Sequence, residues 1–230
     1  MQKSLSIFKK QLKDTLKNKA VLLQFVMFPA LALIMKGAMK IDGMPETFFI
    51  ELFATMYIGM APLTGISAII SEEKEKNTLR MLMMSNVKPY EYLVGVGSYV
   101  WLLCMVGSLV MGIGAGYEQE ALIYFMIVMA IGIFMSTLMG AAIGVLSKNQ
   151  MSATSISVPI MLVVAFLPML SMFNEKIGSV SRFVYSQQIN NLMAKLGDFN
   201  VDAENIWVMA INVVVIISVF GVAYRKSQLA

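Results

Sequence analysis

Residues 71–92 read SEEKEKNTLRMLMMSNVKPYEY, and this stretch separates two long apolar segments of the chain. Five consecutive charged residues, Glu72 to Lys76, are followed by a Leu/Met-rich segment and then by Pro89. The apolar segments on either side are each long enough to cross a bilayer, which takes about 20 mostly apolar residues. The pattern predicts two membrane-spanning helices joined by a charged connection that remains in water.

The composition of the whole chain is typical of a membrane protein. Of its 230 residues, 58% are hydrophobic and 14% are charged, whereas soluble domains carry about 25% charged residues. The chain contains no histidine, which excludes histidine-based acid/base catalysis and the usual zinc sites. The single cysteine, Cys104, cannot form a disulfide within the chain.

Six segments are long and apolar enough to span a membrane, so we expect an all-α membrane protein with six transmembrane helices in a single domain over residues 1–230. Pro159 and Pro168 lie within the fifth segment and predict a kink or an early end. The first segment is interrupted by polar residues, of which Lys36 is expected to reach the outer interface. The six segments are Ala20–Met39, Phe48–Ile70, Tyr92–Gly116, Ala121–Ser147, Ile156–Phe173 and Ile206–Tyr224.

The distribution of basic residues predicts the orientation in the membrane. With six spans both termini lie on one side, and 13 of the 18 lysines and arginines fall on that side. Basic residues concentrate in cytoplasmic loops. We therefore expect a multi-pass protein of the cell membrane with both termini and residues 71–91 in the cytoplasm. The outer side would carry five basic residues: Lys36, Lys40, Lys176, Arg182 and Lys195.

Two further segments have helical periodicity without being long enough or apolar enough to span. In residues 1–19, Leu5, Phe8, Leu12 and Leu16 recur on one side of a helix that is otherwise rich in lysine. This pattern is typical of a helix lying in the membrane interface. The outer segment 174–205 is too polar to span, and we expect short outer helices there.

The connection between spans 2 and 3 contains a short amphipathic helix. Leu79, Leu82, Met83 and Val87 can form an apolar stripe on it, and Glu72 and Glu73 give this stripe a polar rim. Asn77 or Thr78 can cap the start of this helix, and Pro89 suits the first turn of span 3. An apolar stripe in a cytoplasmic loop predicts a contact site for another protein.

Several kinds of chemistry have no matching residues. The chain contains no GxxxxGK[ST] phosphate loop. Glu72 and Glu73 lack the histidines that a metalloprotease site requires, so we do not expect an enzyme. GxxxG spacings at Gly112–Gly116 and Gly140–Gly144 favour close helix packing, with self-association of two copies as a less favoured alternative.

Three polar residues within the predicted spans are candidates for a translocation pathway. Glu51 is the only carboxylate within an apolar segment, although it is close enough to the outer end for water to solvate it. Gln24 and Thr55 could line a pathway or could form hydrogen bonds between helices.

The sequence EKEKNTLRMLMMSNVKPYEYLVG, residues 73–95, resembles the loop between spans 2 and 3 of type-2 ABC exporter permeases. That loop carries a charged run, a Thr-Leu pair, two short apolar turns and a following Tyr-x-x-x-Gly. The resemblance extends over the whole chain, including the N-terminal helix, the six spans and the long outer segment. Asn77 stands where many relatives have Gly, and Asn tolerates left-handed backbone geometry.

The resemblance implies a permease subunit that forms the translocation pathway with a second permease subunit, identical or related. It also implies a separate ABC ATPase subunit that binds ATP and Mg²⁺ and receives the helix between spans 2 and 3, so no cofactor is expected in this chain. The implied substrate is a hydrophobic or amphipathic compound such as a peptide or drug. Nucleic acid is not an expected partner. The alternatives are an ATPase-independent channel and a sensor or assembly subunit.

Overall fold

The computed structural model describes residues 2–39, 43–196 and 202–226, and the described residues form an α-helical bundle. The predicted basic residue Lys40 and residues 197–201 of the outer segment lie outside the described residues. The described helices are α1 (Gln2–Lys17), α2 (Lys19–Ala38), α3 (Phe48–Glu75), α4 (Thr78–Met84), α5 (Pro89–Ala115), α6 (Gln119–Leu146), α7 (Gln150–Ser171), α8 (Glu175–Ser181), α9 (Tyr185–Met193) and α10 (Ala203–Lys226).

The six predicted spans are confirmed as α2, α3, α5, α6, α7 and α10, which are all long and apolar enough to cross a membrane. The largest difference in bounds is at α7, which begins six residues before Ile156 and continues through Pro159 and Pro168 to Ser171. The polar first turn is helical because the side chain of Asn149 accepts a hydrogen bond from the backbone N–H of Ser152 at 2.9 Å.

Helix α3 is the centre of the bundle, and α2, α5, α6, α7 and α9 all pack against it. Glycines allow the closest of these contacts. A Cβ atom on Gly140 of α6 would lie 2.2 Å from the carbonyl oxygen of Leu63, and one on Gly59 of α3 would lie 2.8 Å from the backbone of Ala165 in α7.

The glycines of the two GxxxG spacings pack mostly within the chain. Gly144 faces Ser67 and Ile70 of α3 along with Gly140, and Gly112 faces Leu122 and Phe125. These glycines are covered by the chain's own helices, which leaves no surface there for the self-association considered from the sequence. Gly116 instead ends α5 in the left-handed conformation, with φ 77°.

The N-terminal helix α1 lies against α5, and one side of it, which carries one apolar and two polar residues, faces inward. Ile7, Gln11 and Thr15 are buried, and Gly95 of α5 allows close approach because a Cβ atom there would lie 2.8 Å from the Ser4 carbonyl oxygen. Of the predicted apolar stripe, Phe8 packs edge-on against a tyrosine of α5, whereas the three leucines are exposed. This arrangement leaves the leucines free to enter the membrane interface.

The predicted outer helices are present as α8 and α9, between α7 and α10. The side chain of Asn174 caps α8 by accepting from the backbone N–H of Lys176 at 2.9 Å. Helix α9 packs against α3, α6, α7 and α10, so the outer segment closes one end of the bundle.

Candidate functional site

The charged run at the end of α3 is fastened to three neighbouring helices. The buried carboxylate of Glu73 forms an ion pair with Lys10 and accepts a hydrogen bond from the side-chain amide of Gln11 at 2.7 Å. Both partners belong to α1. Helix α3 has 28 residues and is therefore about 42 Å long, which exceeds the roughly 30 Å hydrocarbon core. These charges therefore extend beyond the apolar part of the membrane.

The neighbouring charges connect the same end of α3 to α6 and α7. Lys74 donates to the carbonyl oxygen of Val145 at 2.6 Å, in the last turn of α6, where a cation also complements the helix dipole. Glu75 accepts from the backbone N–H of Gln150, the first residue of α7, at 2.9 Å. Glu72 forms an ion pair with Lys76, and the hydrogen bond and negative charge of Glu72 raise the pKa of Lys76.

Helix α4 is held directly beneath this cluster. Asn77 precedes it in the left-handed conformation, with φ 56°, a geometry that Asn tolerates. The Thr78 hydroxyl donates to the carbonyl oxygen of Glu73 at 3.1 Å. Pro89 then begins α5, as predicted. Helix α4 is therefore attached to the end of the central helix α3.

The apolar stripe predicted to bind a partner also packs, in large part, against the chain's own bundle. The Leu79 side chain is 3% exposed, and Leu82, Met83 and Val87 pack against the core of the chain. The Glu73 carboxylate is buried against α1, and Glu72 is half-buried. The stripe attaches α4 to its own chain, because a helix of seven residues needs a buried face to remain folded.

The opposite face of α4 carries the exposed side chains. Met84 is 81% exposed and Met81 is 57% exposed, and Arg80 lies beside them on the surface. Residues three or four apart share one side of a helix, so these three form a continuous surface. We call Arg80, Met81 and Met84 the outer face of α4. Flexible, polarizable methionines suit a contact with another protein.

Two of the pathway candidates are hydrogen-bonded between helices. The side-chain amide of Gln24 in α2 donates to the carbonyl oxygen of Ala61 at 3.2 Å and to the hydroxyl of Thr64 at 2.5 Å, both in α3. The buried Thr55 hydroxyl contacts the side-chain oxygen of Asn190 in α9 at 3.2 Å. Each side chain has partners that account for its presence within the bundle.

The third candidate, Glu51, lines an open polar cavity at the outer end of the bundle. The cavity has a volume of about 660 Å³, and Glu118, Glu120 and Tyr117 also line it. Burial and the nearby charge of Glu51 raise the pKa of Tyr117. Among the described residues that line this cavity are three carboxylates, and a Cβ atom on Gly116, which also lines it, would lie 3.8 Å from the Lys36 ammonium group. The Thr55 hydroxyl donates to the Glu51 carbonyl oxygen at 2.9 Å, so these two candidates are adjacent and Gln24 lies apart from them.

Lys36 lies in the last turn of α2, close to the end of the span, as the sequence predicts. Its ammonium group donates to the carbonyl oxygens of Gly114 and Ala115, at 2.9 and 2.6 Å. The last carbonyl groups of a helix have no partner within the helix, so the ammonium group supplies a hydrogen-bond donor to them. Its positive charge also complements the helix dipole at the C-terminal end of α5. The ammonium group reaches these carbonyl oxygens because α2 and α5 end side by side.

Helix α9 is held by polar contacts that were not predicted from the sequence. The hydroxyls of Ser136 in α6 and Tyr185 in α9 are 2.6 Å apart and buried. The side chains of Asn205 in α10 and Gln188 in α9 also form a buried hydrogen bond. The polar run SQQINN at residues 186–191 is the signal in the sequence, since polar groups buried in a bundle require partners.

The combination of six spans, the helix α1 packed on α5, the attached α4 and the short helices α8 and α9 accounts for almost the whole chain. A family model described as ABC-2 family transporter protein matches residues 5–224. The chain belongs to the ABC-2 family of transporters. This ABC-2 protein is therefore a multi-pass permease subunit of an ABC transporter, which confirms the resemblance drawn from the sequence. No match among curated proteins was found.

Proposed function

We propose that this ABC-2 permease is the membrane subunit of an ATP-driven exporter in the cell membrane, with both termini in the cytoplasm. The distribution of basic residues supports this orientation, since α1, the α3–α4 region and the end of α10 carry most of them. ATP and Mg²⁺ bind to a separate ATPase subunit. A second permease subunit, identical or related, completes the translocation pathway.

The observation that carries the proposal is the attachment of α4 to the end of α3. The outer face of α4 (Arg80, Met81 and Met84) provides exposed apolar atoms for a groove on the ATPase. Through Thr78 and the buried stripe, a displacement of α4 is transmitted to α3, and the charges of Glu73, Lys74 and Glu75 extend it to α1, α6 and α7. ATP hydrolysis in the partner thereby moves the central helix.

The pathway in this proposal lies between two permease subunits. Helices α2, α7 and α10 are the least buried spans, so they have the most surface available for lipid and for the second subunit. The substrate is a hydrophobic or amphipathic compound. The carboxylates around Glu51 favour a substrate that carries positive charge when it leaves at the outer surface.

The test is reconstitution of the permease with its ATPase in proteoliposomes, with measurement of partner retention, of substrate-stimulated ATP hydrolysis and of substrate flux. Met84→Asp places a charge in the middle of the proposed interface. Loss of one central anchor costs about 2 kcal/mol, which weakens docking roughly thirtyfold. We expect loss of the ATPase from the purified complex while the permease inserts normally.

The matched control is Phe173→Asp, since Phe173 is 78% exposed at the other end of α7, away from α4. This variant should retain the ATPase. If Met84→Asp binds the ATPase and couples hydrolysis to flux as the parent does, the outer face of α4 is not the docking surface. Substrate flux that proceeds without ATP would instead support the channel alternative.

A further inference from the structure

An apolar cleft opens on the side of the bundle, between α5 and α10. Residues of α6 form the bottom of the cleft. Its volume is about 520 Å³, and it is lined by Tyr90 and Trp101 of α5, Phe134 of α6, and Phe220 and Tyr224 of α10. Helix α10 packs against α6 and α9, which leaves this side of α5 uncovered among the described residues. The cleft faces the space that the membrane occupies.

The length of the cleft corresponds to one leaflet. Tyr90 and Trp101 are eleven residues apart, which is about 16 Å along a helix, and half of the hydrocarbon core is about 15 Å. Phe134 lies near the middle of α6, and Tyr224 is within the last turn of α10. The cleft therefore runs from the α4 end of the bundle to the middle of the membrane.

Basic residues lie next in sequence to the two tyrosines that line the α4 end of the cleft. The Lys88 ammonium group lies 5.9 Å from the centre of the Tyr90 ring, and the exposed Arg225 and Lys226 directly follow Tyr224. We call Lys88, Arg225 and Lys226 the basic rim. Glu91 is the acidic residue of the same turn. Its carboxylate accepts a hydrogen bond from the backbone N–H of Lys88 at 2.9 Å. The rim thus places three cations within two residues of the two tyrosines that line this end of the cleft.

We propose that this cleft binds an anionic phospholipid, with one acyl chain between α5 and α10 and its phosphate at the basic rim. An apolar lining of one-leaflet length fits an acyl chain, and basic residues between spanning helices select anionic headgroups. The assignment to the inner leaflet rests on the orientation proposed above. Because the lipid would contact both α5 and α10 close to α4, its presence stabilises one spacing of these two helices.

The test uses quenching of Trp101 fluorescence by brominated lipids in nanodiscs. The chain has two tryptophans, so Trp207→Phe leaves Trp101 as the only reporter. Phosphatidylglycerol brominated on its acyl chains is titrated into unlabelled phosphatidylcholine, and brominated phosphatidylcholine is titrated in parallel. Each basic residue near an anionic headgroup contributes roughly a fivefold preference. With three such residues in the rim, we expect half-maximal quenching at about a hundredfold lower mole fraction of the anionic lipid.

Two variants, together with a control, distinguish the contribution of the apolar cleft from that of the basic rim. Gly97→Leu fills the cleft, because a Cβ atom there would lie 3.9 Å from its nearest neighbours, and it should abolish the saturable quenching. Gly221→Leu on α10 has nothing within 4 Å of the added carbon and should leave the quenching unchanged. Replacing Lys88, Arg225 and Lys226 with Gln should make the two lipids equivalent.

Three results would overturn the proposal. Equal half-maximal mole fractions for the two lipids in the parent would mean that the site does not select anionic headgroups. Quenching that rises in proportion to bulk lipid would mean that there is no site. Absence of quenching would mean that a protein segment, such as a second copy of the chain, fills the cleft. The nanodiscs contain no ATPase, so these results are independent of the coupling proposal.

Discussion

The contact between Glu73 and α1 leads to a quantitative prediction about the Glu73→Ala variant. This substitution removes the acceptor of Gln11, whose buried amide would then lack a partner, at a cost of about 1–3 kcal/mol. The ion pair with Lys10 contributes less, about 0–1 kcal/mol, because the Lys10 side chain is partly exposed. The sum is about 1–4 kcal/mol, which corresponds to a fall in Tm of about 2–16 °C for a chain of this size.

The measurement is thermal unfolding of the purified permease in detergent, followed by tryptophan fluorescence, for the parent, Glu73→Ala, Gln11→Ala and the double variant. If the two side chains interact, the double variant should be more stable than the sum of the single effects implies, with a coupling energy of about 0.5–3 kcal/mol. Glu73→Gln retains an acceptor for Gln11 and should lose less stability. Additive effects of the two alanine substitutions, or a Glu73→Ala variant as stable as the parent, would refute the reasoning.

Three further predictions concern orientation, the outer cavity and helix packing. A cysteine at the exposed Val180 should react with an impermeant thiol reagent outside intact cells, whereas one at the exposed Met151 should react only after the cells are opened; the reverse pattern would contradict the proposed orientation. Glu51→Gln should slow export of positively charged amphipathic substrates and leave that of neutral ones unchanged, so equal flux for both classes would assign this carboxylate to solvation alone. Gly140→Leu should prevent a monodisperse preparation, since the added carbon would lie 2.2 Å from a backbone oxygen of α3, while Gly221→Leu should purify normally; similar behaviour of the two variants would contradict the packing of α6 on α3.

The spans could be predicted from the sequence because hydropathy is a local property of each segment. Where the local property is ambiguous, the bounds differ. Helix α7 begins in a polar stretch that is typical of a loop. Its start depends on the cap formed by Asn149. The early start of α5 at Pro89 was identified because Pro favours the first turn of a helix.

The direction in which α4 faces could not be predicted. The spacing of Leu79, Leu82 and Met83 is the same whether the stripe binds a partner or the chain's own core, and only the position of the surrounding helices decides between these. The partners of Glu73 could not be predicted either, because Lys10 is 63 residues away in the sequence. Long-range polar pairs of this kind have no local signal, since a lysine and a glutamate look the same in the sequence whether or not they meet.

The most direct test of the account is cross-linking between the outer face of α4 and the ATPase. Cys104 is buried, so Met84→Cys provides a single accessible thiol, and Phe173→Cys provides one of similar exposure at the opposite end of the bundle. A short thiol-to-amine cross-linker is applied to membranes that contain both subunits, and the cross-linked peptides are identified by mass spectrometry. The account predicts that Met84→Cys is joined to the ATPase with a yield that changes on addition of ATP, and that Phe173→Cys is not. Absence of a cross-link from Met84→Cys in complexes that hydrolyse ATP in response to substrate would contradict it.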